Sequence, residues 1–465
     1  MELKRLSLRQ LHDGLRDGDY SATVLAHTCQ ENYQQHEPAL NAYKTWNGDD
    51  AIATASLADR LLDRGVDLGA LMGVPVSVKD LFAVRGLPTF AGSVESLGPS
   101  WERPGPLVQS LEHQLAPVMG KTHTVEFAFG GIGMNAHWGT PCNPWGVREH
   151  RIPGGSSSGA GVSLAQGSAL LALGTDTAGS VRIPASVTGQ TALKLTHGRW
   201  PSAGIVPLSP SLDTPGILAR SVDDLAFAFQ ALEKGRCGVA PSIPVMDSVA
   251  GLRLGRVDEF FLAGADAAIV DVFDRAVQRL SAAGARVQNA ELPGCHEAYA
   301  IFQQGGLAAP ELCAFLKAEL PGRMDRLDPV VRLRVEGAEA LSSVDYLLRA
   351  HALRQAAQQA LIAFSTADVL VTPTVAIAPP RLADLQAQEA YRHANMMVLR
   401  NTSIANLLGL CAITLPVGLD ALGLPVGLQL MAPPHAEEQL LAAALSIESC
   451  LGKPIDVLGC PDFLL

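Results

Sequence analysis

Charged residues are few in this chain, 17% of 465 positions, and basic ones are fewer than acidic ones: 35 Lys and Arg stand against 46 Asp and Glu, for a formal net charge of −11. That balance provides no general attraction to nucleic acid or to anionic lipid, so neither partner is expected. Long apolar runs are missing as well. The opening MELKRLSLRQLHDGL is charged throughout, and VLVTPTVAIAPP is short and interrupted by proline, so no signal peptide and no membrane-spanning segment is expected. The reading is a cytoplasmic protein. Eight cysteines, at 29, 142, 237, 295, 313, 411, 450 and 460, include no CxxC pair, which argues against a disulfide framework and a zinc site. Twelve histidines show no HExxH or HxH spacing, so no metal is expected.

The chain does have apolar bulk, 48% hydrophobic, enough to bury a large core. Helical periodicity runs through SLRQLHDGLRDG, through SATVLAHTCQENYQQ with Ser21 as its N-cap, and through DAIATASLADRLLDRG. These segments, within about residues 1–65, are expected to brace a catalytic core. In GVPVSVKD the alternation of Val74, Val76 and Val78 predicts a strand that carries Lys79 at its buried end. Further along, PLVQSLEHQLAPVMGKT reads as helix then strand, VSLAQG as a short helix and ALLALGTD as a strand. A long helix is expected from Ser343 to about Phe364, followed by strands at DVLVTPTV and GLPVGLQLMAPP and a last helix in HAEEQLLAAALSIESCLG. Alternating elements without a repeat, charge block or linker predict a single α/β domain over residues 1–465.

Three motifs in the sequence fail on context. Gly155-Ser156-Ser157-Ser158-Gly159 matches the GxSxG nucleophile elbow, but WGVREHRIPGG before it is charged and proline-containing rather than a buried strand. Gly120-Lys121-Thr122 resembles the end of a P-loop, yet residue 115 is Leu where that loop requires glycine. Gly131-Ile132-Gly133 with Ala136 is an imperfect dinucleotide fingerprint in a chain of 44 glycines, and reads as turn chemistry. No nucleotide or other cofactor is expected.

Three other pieces fit one mechanism: Lys79 in GVPVSVKD, Ser156 in PGGSSSGA, and Ser180 in GTDTAGSVRIP, the two serines 24 positions apart. In this order and spacing they resemble the amidase signature family. The resemblance extends through TFAGS, GKTHTVEFAFG and SLDTPGILARSVDD to GLPVGLQLMA. It implies an α/β fold with a large mixed β-sheet covered by helices on both faces. It also implies Ser180 as nucleophile, Ser156 as a bridging serine held by a cis peptide, and Lys79 as terminal base. Chemistry agrees with these roles. A serine hydroxyl must lose its proton as it attacks, and a lysine can accept one only when neutral, a form that burial favours. The small residues around Ser180 let the amides of Thr177, Ala178, Gly179 and Ser180 face an oxyanion. Ser158, Asp176 and Arg182 are expected to support the loop. Phe127, Phe129 and Ile132 are matched to a substrate cleft, although an apolar stripe fits a core equally well.

The sequence departs from the family at His123, at Leu81 after Lys79-Asp80, and in GQTALKLTHG, positions near the pocket rather than in the relay. The expectation is an amidohydrolase that cleaves a small-molecule carboxamide and releases acid and ammonia or amine. The glutaminase subunit of a tRNA-dependent amidotransferase and a hydrolase of carboxybiuret or ureido acids stand as alternatives, and assembly as a homodimer stays open.

Overall fold

Short aliphatic runs such as Val76–Lys79 and Leu171–Asp176 are buried at every position, which requires cover on both faces of the sheet they join. The computed structural model describes residues 5–464. Eleven strands form one mixed sheet among those residues: β1 (Tyr43–Trp46), β2 (Val76–Lys79), β3 (Val118–Thr122), β4 (Leu171–Asp176), β5 (Thr191–Lys194), β6 (Thr214–Ala219), β7 (Arg253–Arg256), β8 (Arg286–Asn289), β9 (Val369–Pro373), β10 (Cys411–Leu419) and β11 (Pro425–Ala432). Their order is β1-β3-β2-β4-β6-β5-β10-β11-β9-β7-β8. Parallel pairing joins β2 to β3 and β4, and β7 to β8 and β9, whereas the remaining neighbours are antiparallel. The fold is therefore α/β with a mixed sheet, as the resemblance implies.

The Ser21 hydroxyl accepts the Val24 amide at 3.1 Å and starts the helix Ala22–Leu40. That helix packs against its successor Gly48–Leu62 and against the helix Ser158–Gln166, so the N-terminal segment reaches elements close to the serine cluster. The long helix predicted from Ser343 ends at Ala360, and residues Leu361–Ser365 continue as a tighter 3₁₀ turn, a common way for a last turn to finish. No helix among the described residues is long and apolar enough to cross a membrane.

The helix Ser158–Gln166 begins against backbone. A Cβ on Gly159 would lie 2.0 Å from the carbonyl oxygen of Ala42 and 2.7 Å from the amide nitrogen of His123, both main-chain atoms that cannot swing away. The Gly159 amide itself donates to the His123 carbonyl at 3.0 Å. Gly159→Ala is therefore expected to lower the free energy of unfolding by about 1–3 kcal/mol, the usual range for overpacking. By contrast Gly337→Ala, where a Cβ meets open space, should stay within about 0.5 kcal/mol of the parent. Urea denaturation of both variants makes the comparison.

Candidate functional site

β2 and β4 run parallel in register, Val76 beside Leu171 and Val78 beside Leu173, and the site is assembled at their carboxyl ends, where parallel sheets commonly bind ligands. Lys79 closes β2 and has no exposed surface. Its Nζ lies 2.7 Å from Ser156 Oγ and 2.8 Å from Thr175 Oγ1. Burial drives its pKa down to about 7, against a smaller opposing pull from Asp213 and Asp176. A neutral amine in that position can take the Ser156 hydroxyl proton while donating one of its own to Thr175.

Ser156 is fully buried and follows a cis peptide bond from Gly155. Ser180 lies on the loop after β4 and faces a cleft of about 1160 Å³. The two serine segments are joined through the main chain, the Ser157 amide donating to the Ser180 carbonyl at 3.2 Å. The Ser156 and Ser180 hydroxyls do not bond to each other here. The Ser180 hydroxyl has no hydrogen-bond partner among the described residues and is free to turn.

Asp176 organises the loop between them. Its carboxylate accepts the Gly179 amide at 2.7 Å, the Val181 amide at 3.3 Å, and two bonds from the buried Arg182 guanidinium at 3.0 Å each. Burial alone would raise the Asp176 pKa, but Arg182 beside it holds it below the ordinary value. Arg182 is in turn held by Gln429 at 2.5 Å and Asn406 at 2.7 Å. These bonds correct one expectation. The Gly179 amide is engaged by Asp176 and cannot also face an oxyanion, whereas the amides of Thr177, Ala178 and Ser180 have no partner among the described residues. Gly179 is needed for space and conformation: its φ is +126° and a Cβ would fall 2.0 Å from Thr402 Oγ1.

The other predicted residues divide. Phe129 stands in the cleft wall, but Phe127 and Ile132 are completely buried in the core and do not line it. Backbone geometry separates these neighbours: Phe127 has φ +46°, which turns the chain between it and Phe129. The Ser158 hydroxyl is buried without a protein partner, and its amide donates to the Ser156 carbonyl at 2.9 Å. His123 packs with its Nε2 3.2 Å from Asn41 Oδ1, and burial pushes its pKa down to about 4, so it is neutral at pH 7. Lys121 of the GKT motif forms a buried ion pair with Asp80 at 2.8 Å.

Two residues at the site were not singled out from sequence. Thr175 was legible only as the position before Asp176 on a strand ending at the site. Asp213 lay within the quoted SLDTPG segment; it accepts the Thr177 hydroxyl at 2.5 Å and the Leu208 and Ser209 amides at 2.9 Å each. Burial raises the Asp213 pKa to about 6.

Comparison with known proteins finds relatives along nearly the whole chain. Residues 25–441 match the amidase family. The chain is 56% identical over 462 residues to 2-amino-5-chloromuconic acid deaminase from Comamonas testosteroni, spanning 99% of this chain and 100% of that protein. It is 31% identical over an alignment of 483 positions to the A subunit of glutamyl-tRNA(Gln) amidotransferase from Geobacter metallireducens, with 96% and 98% of the two chains covered. A crystal structure of an amidase superposes with a TM-score of 0.86 at 30% identity, covering 96% of this chain and 100% of the other. Sequence and fold thus agree along nearly the whole length, and the chain belongs to the amidase family as an amidohydrolase.

Proposed function

We propose that Ser180 attacks the substrate, with Ser156 passing its proton to Lys79. The observation that supports this most directly is a fully buried lysine 2.7 Å from the hydroxyl of Ser156, on a segment hydrogen-bonded to that of Ser180. As the Ser180 Oγ bonds to the carbonyl carbon, its proton moves to Ser156 and the Ser156 proton moves to Lys79. The carbonyl electron pair settles on oxygen, facing the free amides of Thr177, Ala178 and Ser180. Collapse of this intermediate breaks the C–N bond, and the proton on Lys79 returns through Ser156 to the departing nitrogen. Water then repeats the sequence on the acyl-enzyme, releasing the acid and restoring Ser180. The Ser156 to Ser180 link closes on substrate binding, in keeping with catalytic hydrogen bonds that tighten only in the complex.

The relative at 56% identity is named for the deamination of an amino-substituted acid. That likeness favours a small organic acid that loses ammonia over glutamine hydrolysis for a partner protein, which rests on a relative at 31%. Ammonia release across carboxylated, aliphatic, aromatic and ureido amides, together with 2-aminomuconate, discriminates the substrate classes. Turnover of glutamine alone, and only with a second protein present, would establish the amidotransferase alternative instead.

Ser180→Ala should retain the parent melting temperature but lose about 10⁴-fold or more in kcat/KM, because the covalent route is removed while the backbone amides stay. A fluorophosphonate probe followed by peptide mapping should place the label on Ser180. A label on Ser157 would mean a different nucleophile.

Activity should rise with pH through about 7, where Lys79 loses its proton. Lys79 has a lower pKa folded than unfolded, about 7 against an unperturbed value of about 10.4. The unfolded chain thus binds more protons between those values. The lysine costs stability in full below pH 7, and the cost disappears as pH rises toward 10.4. Lys79→Met should be nearly inactive yet melt at or above the parent temperature at pH 7, with the difference narrowing at alkaline pH. A kcat/KM profile and melting curves at several pH values check both halves.

A further inference from the structure

The chain as a whole is acidic, yet three arginines, Arg334, Arg349 and Arg392, line the cleft that Ser180 faces, with Glu389 as the acid beside them. Arg334 is the one placed for recognition. It projects from the helix Pro329–Glu336, and its guanidinium lies 4.0 Å from the centre of the Phe129 ring. One donor, Nη1, bonds to the Phe129 carbonyl at 2.6 Å. No carboxylate among the described residues pairs with it, and its remaining donors are left to the cleft. Burial disfavours its charge, with the Tyr391 hydroxyl as the compensating neighbour.

Tyr391 and Asn395 stand one turn apart on the helix Gln388–Leu407, both buried and both in the wall of the same cleft. The Asn395 Oδ1 accepts the Gly131 amide at 2.8 Å, which leaves its NH₂ group as an unused donor. The Tyr391 hydroxyl has no hydrogen bond among the described residues and lies 3.2 Å from where a Cβ on Gly130 would be. A guanidinium, a phenol and an amide NH₂, all with donors to spare, thus border one chamber with the Ser180 hydroxyl. Donor groups without acceptors call for an anion, and a planar fork matches a carboxylate in particular.

We propose that Arg334, assisted by Tyr391 and Asn395, binds a carboxylate of the substrate, which makes the substrate an acid with its charged group set apart from the C–N bond that Ser180 attacks. The assignment deepens the function proposed above and rests on it for the position of the reacting bond. The Phe129 ring under the guanidinium and the apolar wall from Leu212, Leu399 and Phe302 suit the carbon chain between the two ends.

Binding to the Ser180→Ala protein tests the subsite without requiring turnover. Adipate and cis,cis-muconate should bind by calorimetry, and their dimethyl esters should bind at least 10-fold more weakly. Adding Arg334→Met should weaken the dianions by about 10- to 100-fold, the range for hydrogen bonds to a charged group, with the esters unchanged. Arg334→Lys should fall between, and Tyr391→Phe, which keeps the buried ring, should weaken the dianions alone; these two carry the test if Arg334→Met does not fold. In the active enzyme, Arg334→Met should raise KM for adipamate more than it lowers kcat, while hexanamide is little affected. Equal binding of diacid and ester, absence of diacid binding, or loss of both probes together in a folded Arg334 variant would overturn the subsite. Persistent activity of Ser180→Ala would instead overturn the nucleophile assignment and leave the binding result standing.

Discussion

An amine with no exposed surface is the constraint on which the site depends. Lys79 ends β2 between two parallel neighbours, so its side chain emerges inside the protein, and desolvation removes the advantage of its charged form. What remains is an amine that needs hydrogen-bond partners on both sides. Thr175, from the end of the adjacent strand, and Ser156, from the turn after Gly155, occupy those positions. The close approach of the helix Ser158–Gln166 to the backbone of Ala42 and His123 brings Ser156 within reach. Fold and chemistry meet in that contact.

The electrostatics around this base are balanced. Two carboxylates near Lys79 favour its protonated form, but neither acts at full strength. Asp176 is tied to Arg182 in a buried pair with close to zero net charge, and Asp213 is itself pushed up to about 6 by burial. Asp176, while paired with Arg182, also accepts the Gly179 and Val181 amides, whereas those of Thr177, Ala178 and Ser180 have no partner among the described residues. Removing one partner of such a pair commonly costs about 3–5 kcal/mol, so the geometry of the Ser180 loop and the stability of the core are coupled.

Net charge and local field diverge in this protein. A total of −11 describes how the chain is seen from a distance. Within the cleft, screening by the bulk is reduced and a few side chains dominate. The arginines there come from helices far from Ser180 in sequence, Pro329–Glu336, Ser343–Ala360 and Gln388–Leu407. The reacting end of the cleft is thus built by strands and the loops that follow them, and its cationic wall by helices of the later half.

Much of the candidate site was legible along the chain, because it is carried by local segments. Lys79 at the end of a valine strand is read from its near neighbours, whereas the roles expected of Ser156 and Ser180 came with the resemblance to the amidase signature family. The α/β class also followed from the alternation of short aliphatic runs and helical periods, whereas the mixed sheet came only as what the resemblance implies. What the folded backbone decides was not legible, even between near neighbours. Phe127 and Phe129 are two residues apart in one apolar stretch, yet a left-handed backbone conformation sends one into the core and leaves the other at the cleft. The Gly179 amide looked like an oxyanion donor until the Asp176 carboxylate took it. Arg334, Tyr391 and Asn395 carry no local signal, because an arginine on one helix and a tyrosine on another become a subsite only when packing removes water and leaves them facing the same space. Residue types along the chain pointed to the α/β class and to the groups that are candidates for acid-base chemistry. Tertiary structure alone decided which donors remained free, because a donor is spent or spared by the groups that the folded backbone brings to it, whether three residues away, as for Gly179, or 264, as for Gly131.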